Sequence, residues 1–134
     1  MVISELIRPN GLALPRDESL IYVTDTGFLK SDLDPSGPRF VYAYDFAGPD
    51  KNFLVNRRVF AIADSGAPDG LKVDKNGNVW AGCGDGLNVW NSVGDLIGKI
   101  LVPGGVANFC FAGPDLNIVV LLNEKRLYQV QLSI

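Results

Sequence analysis

Short runs of alternating apolar and polar residues, separated by turn residues, cover most of the chain. Runs such as "SLIYVTDTG" and "RFVYAYDF" repeat with period two, and no long stretch has a helical period. The pattern predicts an all-β protein made of antiparallel strands. In chain order the predicted strands are "GLALP", "SLIYVTDTG", "RFVYAYDF", "NRRVFAIAD", "GLKVD", "NVWAGC", "LNVWNS", "LIGKILVP", "VANFCFAG", "NIVVLLNE" and "RLYQVQL".

These strands group into repeated units. The stretch "IRPNGLAL" returns as "GAPDGLKV", so that Asn10 and Asp69 occupy matching positions before an apolar strand. The units begin near Pro9, Pro68 and Ala107, and the second spacing suits a four-stranded β-propeller blade of about 40 residues. We therefore predict three antiparallel blades over residues 8–65, 66–104 and 105–134, the last of which lacks its fourth strand.

Residues 2–7, "VISELI", are predicted to form a lone strand in front of the first blade. Propellers have about 4 to 8 blades, so three blades cannot close a ring. A chain of three would expose two blade faces and unpaired strand edges. The lone strand is the natural candidate for the missing outer strand of a neighbouring or partner blade.

Blade topology predicts which loops share a face with Asn10 and Asp69. Because the first two strands of a blade are antiparallel, the connection after the second strand returns to that face. The stretch 28–39, rich in Asp, Pro, Ser and Gly, is predicted to be an irregular loop there. The other residues expected around this pocket are Asp25, Thr26, Asp85, Asn123 and Glu124.

Composition narrows the class of protein. The chain has 134 residues, 47% of them hydrophobic, and a net charge of −3, which argues against nucleic acid or an anionic membrane surface as a partner. No stretch approaches the roughly 20 apolar residues of a membrane span. The N-terminus does not resemble a signal peptide, so the default expectation is a cytoplasmic protein.

Residue types restrict the chemistry further. The sequence contains no histidine and only two cysteines, which excludes Ser-His-Asp and Cys-His catalysis, His-ligated zinc and four-cysteine zinc. Catalysis must use carboxylates, amides, hydroxyls and lysines, or a metal that prefers oxygen ligands. We expect Cys83 and Cys110 to be buried free thiols rather than a disulfide.

The phrases "RPNGLALPRDESLIYVTDTG" and "APDGLKVDKNGNVWAGCGDGLNVWNSVGDLIGKI" resemble the senescence-marker-protein/gluconolactonase family, also called regucalcin-like or luciferin-regenerating-enzyme-like. Members of that family are six-bladed β-propellers. The resemblance covers nearly the whole chain and corresponds to the last three blades. Pro-Asn-Gly-Leu before a "YV.DT" strand, followed by Pro-Asp-Gly-Leu, forms an ordered pair of motifs that is more specific than either alone.

The resemblance implies a hydrolase of sugar-acid and related lactones that uses one divalent metal in the central channel. It places a metal ligand at Asn10, and a second ligand and general base at Asp69. Calcium is the first expectation, with zinc, magnesium or manganese as alternatives. Amide and carboxylate oxygens are the donors that hard cations take, and a bound cation would polarise the lactone carbonyl.

Two features depart from the family pattern. In the six-bladed family, the metal-binding Glu comes from the first of the six blades and another polar residue of the pocket from a middle blade. Neither of those two blades is present here. Glu5 is no substitute, since it lies in the lone strand. One chain thus carries at most half of the expected ligands. The alternative function is a non-catalytic calcium-binding or interaction half-propeller.

Several residues keep two interpretations at this stage. Asn10 and Asp69 could form Asn-Gly and Asp-Gly turns instead of binding metal. Asn108, at the matching position of the third blade, could line the channel or make a strand-end hydrogen bond. Asp25 is expected to fix a loop rather than act in catalysis, and Asp85 is a further candidate for the channel lining.

The aromatic residues Trp80, Trp90, Phe109 and Phe111 are expected to pack between blades. "GCGDG" lacks the strand-to-helix context of a phosphate-binding loop.

Two explanations for the half-size chain remain open. The chain could be completed by a missing N-terminal half, or two copies could associate head to tail into a six-bladed ring. In the second arrangement, residues 2–7 of each copy would complete the third blade of the other.

Overall fold

The computed structural model describes residues 2–29 and 35–133, and these form eleven β-strands and one short 3-10 helix, Gly27–Leu29. No helix in these two ranges is long and apolar enough to cross a membrane. The strands are β1 Pro9–Ala13, β2 Leu20–Asp25, β3 Phe40–Ala47, β4 Phe53–Ile62, β5 Leu71–Val73, β6 Val79–Cys83, β7 Gly86–Trp90, β8 Leu96–Leu101, β9 Asn108–Ala112, β10 Ile118–Asn123 and β11 Arg126–Gln131.

The strands form three antiparallel sheets in which each strand pairs with the next along the chain. The orders are β1-β2-β3-β4, β5-β6-β7-β8 and β9-β10-β11. Within the described residues the third sheet has three strands, as the sequence predicted. The innermost strands of successive sheets contact one another, β1 with β5 and β5 with β9. This arrangement confirms the predicted succession of propeller blades.

The first core lies between the first and second blades. Strand alternation places Tyr22, Val41 and Ala43 on one face of the first sheet, opposite residues such as Leu71 and Val79 of the second. Leu71 and Val79 are almost completely buried. Burial of this apolar surface holds the two blades together.

The second core joins the second and third blades around Leu87, Phe109 and Leu121. The rings of Trp80 and Phe111 pack edge to face at its border, with centroids 5.4 Å apart. Trp90 is buried in the first core. The expectation that these aromatic residues pack between blades is thus confirmed.

The two cysteines are free thiols, but only Cys83 is buried. The expectation that both would be buried is wrong for Cys110. Cys110 alternates with Phe109 along β9, and Phe109 faces the second blade. Cys110 therefore lies on the other face of the third blade, which no described strand of another blade covers.

The N-terminal segment, residues 2–8, forms no strand with the described part of the chain. Its first part lies beside the outer strands of the first blade, where the Glu5 carboxylate pairs with Arg57 at 3.2 Å. Residues Val2 to Glu5 face Tyr44 and the stretch 54–57 across a shallow cavity. Completion of a partner blade by this segment stays a prediction.

The loop predicted for residues 28–39 falls partly outside the described residues, which end at 29 and resume at 35. Its two ends lie together, because the N–H of Phe28 donates a hydrogen bond to the carbonyl of Pro38 at 2.8 Å.

Candidate active site

The inner strands β1 and β5 approach each other closely at their N-terminal ends. A Cβ atom added at Gly11 would lie 2.3 Å from the backbone oxygen of Asp69. One added at Gly70 would lie 2.8 Å from the backbone oxygen of Ala107, at the start of the next blade. Only glycine permits backbones to come this near. The repeated Gly-Leu pair therefore serves blade packing around the inner edge.

This packing also explains the Asn-Gly and Asp-Gly dipeptides. Neither Gly11 nor Gly70 is among the residues with positive φ. Asn10 and Gly11 belong to β1, and Gly70 directly precedes β5. Close approach of strands, rather than left-handed turn geometry, accounts for the glycines, and the residue before each one is presented at the inner edge of its blade.

Thr24 ties the two motifs together. Its side chain is fully buried. The hydroxyl accepts a hydrogen bond from the N–H of Gly11 at 2.7 Å and donates one to the backbone oxygen of Asp69 at 2.9 Å. A single side chain thus fixes the position of Asp69 relative to β1. The sequence analysis did not single out Thr24, although a hydroxyl at an inward position of β2 could have drawn attention to it.

Asp69 is partly buried and carries a perturbed carboxyl group. Burial raises the pKa of Asp69 above its ordinary value, because the charged form loses hydration. The positive charge of Arg8 and a hydrogen bond from the Asn10 side chain favour the charged form and offset part of that pKa rise. The structure therefore brings Asn10 and Asp69 together, as a pair formed between two blades.

A cavity of about 170 Å³ opens beside Asp69. Glycines form much of its wall, and they pack against backbone. A Cβ on Gly84 would lie 3.0 Å from the Cα of Gly66, and one on Gly105 would lie 2.6 Å from the carbonyl oxygen of Cys83. The cavity is lined by Leu29, Gly66, Ala67, Asp69, Cys83, Gly84, Gly104, Gly105, Val106 and Ala107.

Asn123 supports this wall from the third blade. It is buried, and its amide nitrogen donates hydrogen bonds to the carbonyls of Pro103 and Gly105, at 3.1 and 2.6 Å. The loop that carries Gly104 and Gly105 is held in place by these two bonds. Asn123 therefore helps to hold this wall of the cavity in place.

Asn108 lies one blade further on. Its side-chain oxygen accepts a hydrogen bond from the N–H of Phe109 at 2.9 Å, at the start of β9. The same oxygen is 3.5 Å from the Lys72 ammonium. A Cβ on Gly70 would lie 2.4 Å from it, which places the Asn108 amide against the residue after Asp69.

Asp25 is committed to the backbone. Its buried carboxylate accepts hydrogen bonds from the N–H groups of Ile7 and Arg8, each at 2.9 Å, and of Gly27 at 3.1 Å. These bonds fix the segment that enters β1. Asp25 does not line the cavity.

Asp85 is committed to a charge network behind the cavity. Its carboxylate pairs with the Lys99 ammonium at 2.8 Å, which also pairs with Asp64 at 2.7 Å. The Asn88 amide donates to the other oxygen of Asp85 at 2.9 Å. Burial tends to raise the pKa of Asp85, but the bonds from Lys99 and Asn88 outweigh it and lower that pKa.

The oxygen donors fit a hard cation, but only in part. Asn10 and Asp69 carry an amide oxygen and a carboxylate, the Asn108 oxygen is already bonded to the Phe109 N–H and the Lys72 ammonium, and calcium takes 6 to 8 oxygen ligands. Across residues 2–29 and 35–133, no group of three acidic, histidine or cysteine side chains could hold a metal. The donor chemistry is suitable, and the number of donors is that of a partial site.

Comparison with known proteins identifies a family model and several proteins of similar sequence. The family model described as the SMP-30/Gluconolactonase/LRE-like region matches residues 1–122. The lactonohydrolase oryL of Aspergillus oryzae is 32% identical over 128 residues, which cover 86% of this chain and 29% of that protein. The gluconolactonase of Zymomonas mobilis is 34% identical over 113 residues, or 79% of this chain and 30% of that protein.

A solved structure shows the same arrangement of blades. The gluconolactonase XC5397 of Xanthomonas campestris superimposes with a TM-score of 0.81 and 30% sequence identity. The match covers 98% of this chain and 40% of that one. The chain thus spans less than half the length of the proteins it matches.

Proposed function

The chain belongs to the SMP-30/gluconolactonase/LRE-like family, and on that premise we propose that it carries part of the active site of a metal-dependent lactone hydrolase. The observation that carries the proposal is the pairing of Asn10 with Asp69 beside a cavity walled by backbone. Sugar-acid and related lactones are the substrate class. Compact polar rings of this kind suit a cavity whose glycine wall presents peptide groups.

Asp69 is the proposed general base. Its carboxylate would take a proton from the attacking water as the water oxygen bonds to the lactone carbonyl carbon. The bond from that carbon to the ring oxygen then breaks. Asp69 returns the proton to the departing ring oxygen, which becomes a hydroxyl group.

Asn10 and Asp69 would also hold the divalent cation, calcium in the first instance. When bound, the cation would supply Lewis-acid polarisation of the carbonyl. Asn10 would present its amide oxygen to the cation while remaining next to Asp69. Thr24 would keep the two motifs at a constant separation through its bonds to Gly11 and Asp69.

Completion of the ring belongs to the same proposal. We propose that two copies associate head to tail, so that the open face of each third blade packs on the open face of the other copy's first blade. The position of residues 2–5 beside the outer strands of the first blade supports this, since the third blade has only three strands within the described residues. The alternative partner is a separate N-terminal half.

A second candidate function is a non-catalytic calcium-binding half-propeller. The partial donor set favours it, because across residues 2–29 and 35–133 no group of three acidic, histidine or cysteine side chains could hold a metal.

The test is hydrolysis of glucono-1,5-lactone by the purified chain, followed by pH-stat titration at concentrations where light scattering gives twice the chain mass. We expect chelation to abolish turnover and Asp69→Asn to reduce it at least about 100-fold, the scale of general-base catalysis. Asp50→Asn, at an exposed turn, is the matched control. Calcium binding without turnover of any lactone would support the second candidate, and a monodisperse folded monomer would reject the homodimer.

A further inference from the structure

Arg8 is anchored by the interior of the fold although its own side chain is exposed. Its N–H donates to the Asp25 carboxylate at 2.9 Å. Its carbonyl accepts hydrogen bonds from the N–H and the hydroxyl of Thr26, at 3.0 and 3.1 Å. Asp25 and Thr26 are 1% and 2% exposed. Three hydrogen bonds with buried groups therefore fix the backbone position from which the Arg8 side chain extends.

The guanidinium of Arg8 lies at the rim of the cavity. Its Nη1 atom donates a hydrogen bond to the carbonyl oxygen of Leu29, and Leu29 lines the cavity together with Asp69. Its charge is near enough to act on the Asp69 carboxyl group. No carboxylate in the described ranges is within ion-pair distance of Arg8. Among the described residues, the Leu29 carbonyl engages one of the five N–H donors of the guanidinium.

An arginine in this position has a specific chemical preference. The planar fork of a guanidinium binds a carboxylate through two parallel hydrogen bonds, which a neutral hydroxyl cannot reproduce. Asp69 is the one charged side chain among the described residues that line the cavity, so the Arg8 guanidinium, bonded to the lining residue Leu29, adds a positive charge at its edge. A substrate that reaches from Asp69 to this rim would meet a positive charge at its far end.

We propose that Arg8 forms a carboxylate-binding subsite, so that the preferred substrate is a lactone bearing a second, free carboxylate, such as the lactone of a sugar dicarboxylic acid. This inference rests on the proposed lactone-hydrolase function, since it takes Asp69 as the reacting end. Asp25 and Thr26 are positioning residues for Arg8. The Arg8 guanidinium contacts the free carboxylate of the substrate and so selects acidic lactones.

The experiment measures binding of open-chain acids, which cannot be hydrolysed. D-Glucarate, D-gluconate and D-glucitol carry two, one and no carboxylates, and each is titrated into the full chain at constant ionic strength by calorimetry. Amide NMR shifts of Gly66, Gly84 and Gly105 locate the ligand. We expect glucarate to bind about tenfold more tightly than gluconate, the scale of one charge-assisted pair, and glucitol to bind weakest.

Variants assign that preference to Arg8. Arg8→Met should weaken glucarate binding about tenfold and remove the preference, whereas Arg8→Lys should retain part of it as a point charge. Arg16→Met removes the same charge from the turn between β1 and β2, at the other end of β1, and should leave the preference intact. Unchanged amide spectra elsewhere show that the variants remain folded.

The outcomes separate the subsite from the enzyme. A preference for glucarate that survives Arg8→Met, equal binding of the two acids, or no measurable glucarate binding overturns the subsite. Arg8-dependent glucarate binding without turnover of any lactone retains the subsite and rejects the hydrolase. Turnover of neutral and acidic lactones at equal rates, unaffected by Arg8→Met, retains the hydrolase and rejects the subsite.

Discussion

At the scale of single residues, the aspartates of this chain divide into structural and available groups by their hydrogen bonds. Asp25 and Asp74 are surrounded by donors of the protein itself, and Asp69 keeps a partly buried carboxyl group with Asn10 as its partner. A carboxylate saturated by backbone donors is a fixed part of the fold. Among the aspartates of the described residues, Asp69 lines the cavity.

Asp74 provides a pH-dependent prediction. Burial tends to raise its pKa, but hydrogen bonds from Trp80, Asn78 and Asn76 outweigh burial and lower the pKa of Asp74. A carboxyl whose pKa is lower in the folded state stabilises the fold above its unfolded pKa of about 3.9, and this contribution is lost as pH falls through the folded pKa. We expect Asp74→Asn to cost about 1–3 kcal/mol at pH 7, because an amide cannot accept all of these bonds.

Urea unfolding at pH 7, 5, 4 and 3 measures the effect. The difference in unfolding free energy between wild type and Asp74→Asn should shrink below pH 4, while exposed Asp50→Asn should change little at any pH. A difference that is equally large at pH 3 would show that the charge is not its cause.

At the scale of elements, the spacing of the inner strands depends on glycine. Strand β1 reaches β5 only because Gly11 has no side chain to meet the backbone of Asp69. The Thr24 hydroxyl then bridges the two strands. Blade packing and the position of the candidate base are consequently set by the same contact.

Gly11→Ala tests this contact. The added methyl group would meet a backbone oxygen, so the strands must separate, and we expect a loss of about 1–3 kcal/mol by overpacking. Gly98→Ala in β8 is the matched control, since a Cβ there has no atom within 4 Å. Thermal unfolding of both variants measures the effect. If the two variants were equally stable, close packing at the inner edge would not be what requires glycine at position 11.

At the scale of the whole molecule, the third blade has one face that no described strand of another blade covers, and residues 2–5 cover only part of the corresponding face of the first blade. Leu122 and Leu127 pair across β10 and β11 on the open face of the third blade and are 47% and 67% exposed. Cys110 lies on the same face. Exposed apolar surface next to an unpaired strand edge is typical of an interaction surface.

The two thiols report whether that face is covered. Burial, with a smaller effect of the Asp85 charge, raises the pKa of Cys83 to about 12, so Cys83 should not react with iodoacetamide at pH 8. In a closed ring Cys110 is covered too, and mass spectrometry should find no labelled thiol in the native protein. After dilution to monomers we expect one labelled thiol per chain.

Cys110→Ser is the control that should abolish labelling of the dilute protein. A dimer by light scattering in which Cys110 reacts at full rate would mean that the copies associate through another surface.

The sequence by itself determined the eleven strands and their grouping into blades. Period-two alternation states which side chains share a face, and the repeated Pro-polar-Gly-Leu stretch marks where each of the first two blades begins. It also pointed to Asn10 and Asp69 as matching positions. These features are local, so they can be recognised without knowledge of what lies opposite each strand.

Tertiary structure alone decided which groups meet. The Thr24 hydroxyl donates a hydrogen bond to the backbone of Asp69, 45 residues away in sequence. The Asp25 carboxylate accepts hydrogen bonds from the N–H groups of Ile7 and Arg8. These bonds position Arg8 so that its guanidinium bonds to Leu29 at the rim of the cavity. The exposure of Cys110 follows from which face of β9 meets the second blade. Alternation assigns a residue to a face but does not say what covers that face, and that depends on contacts between distant segments.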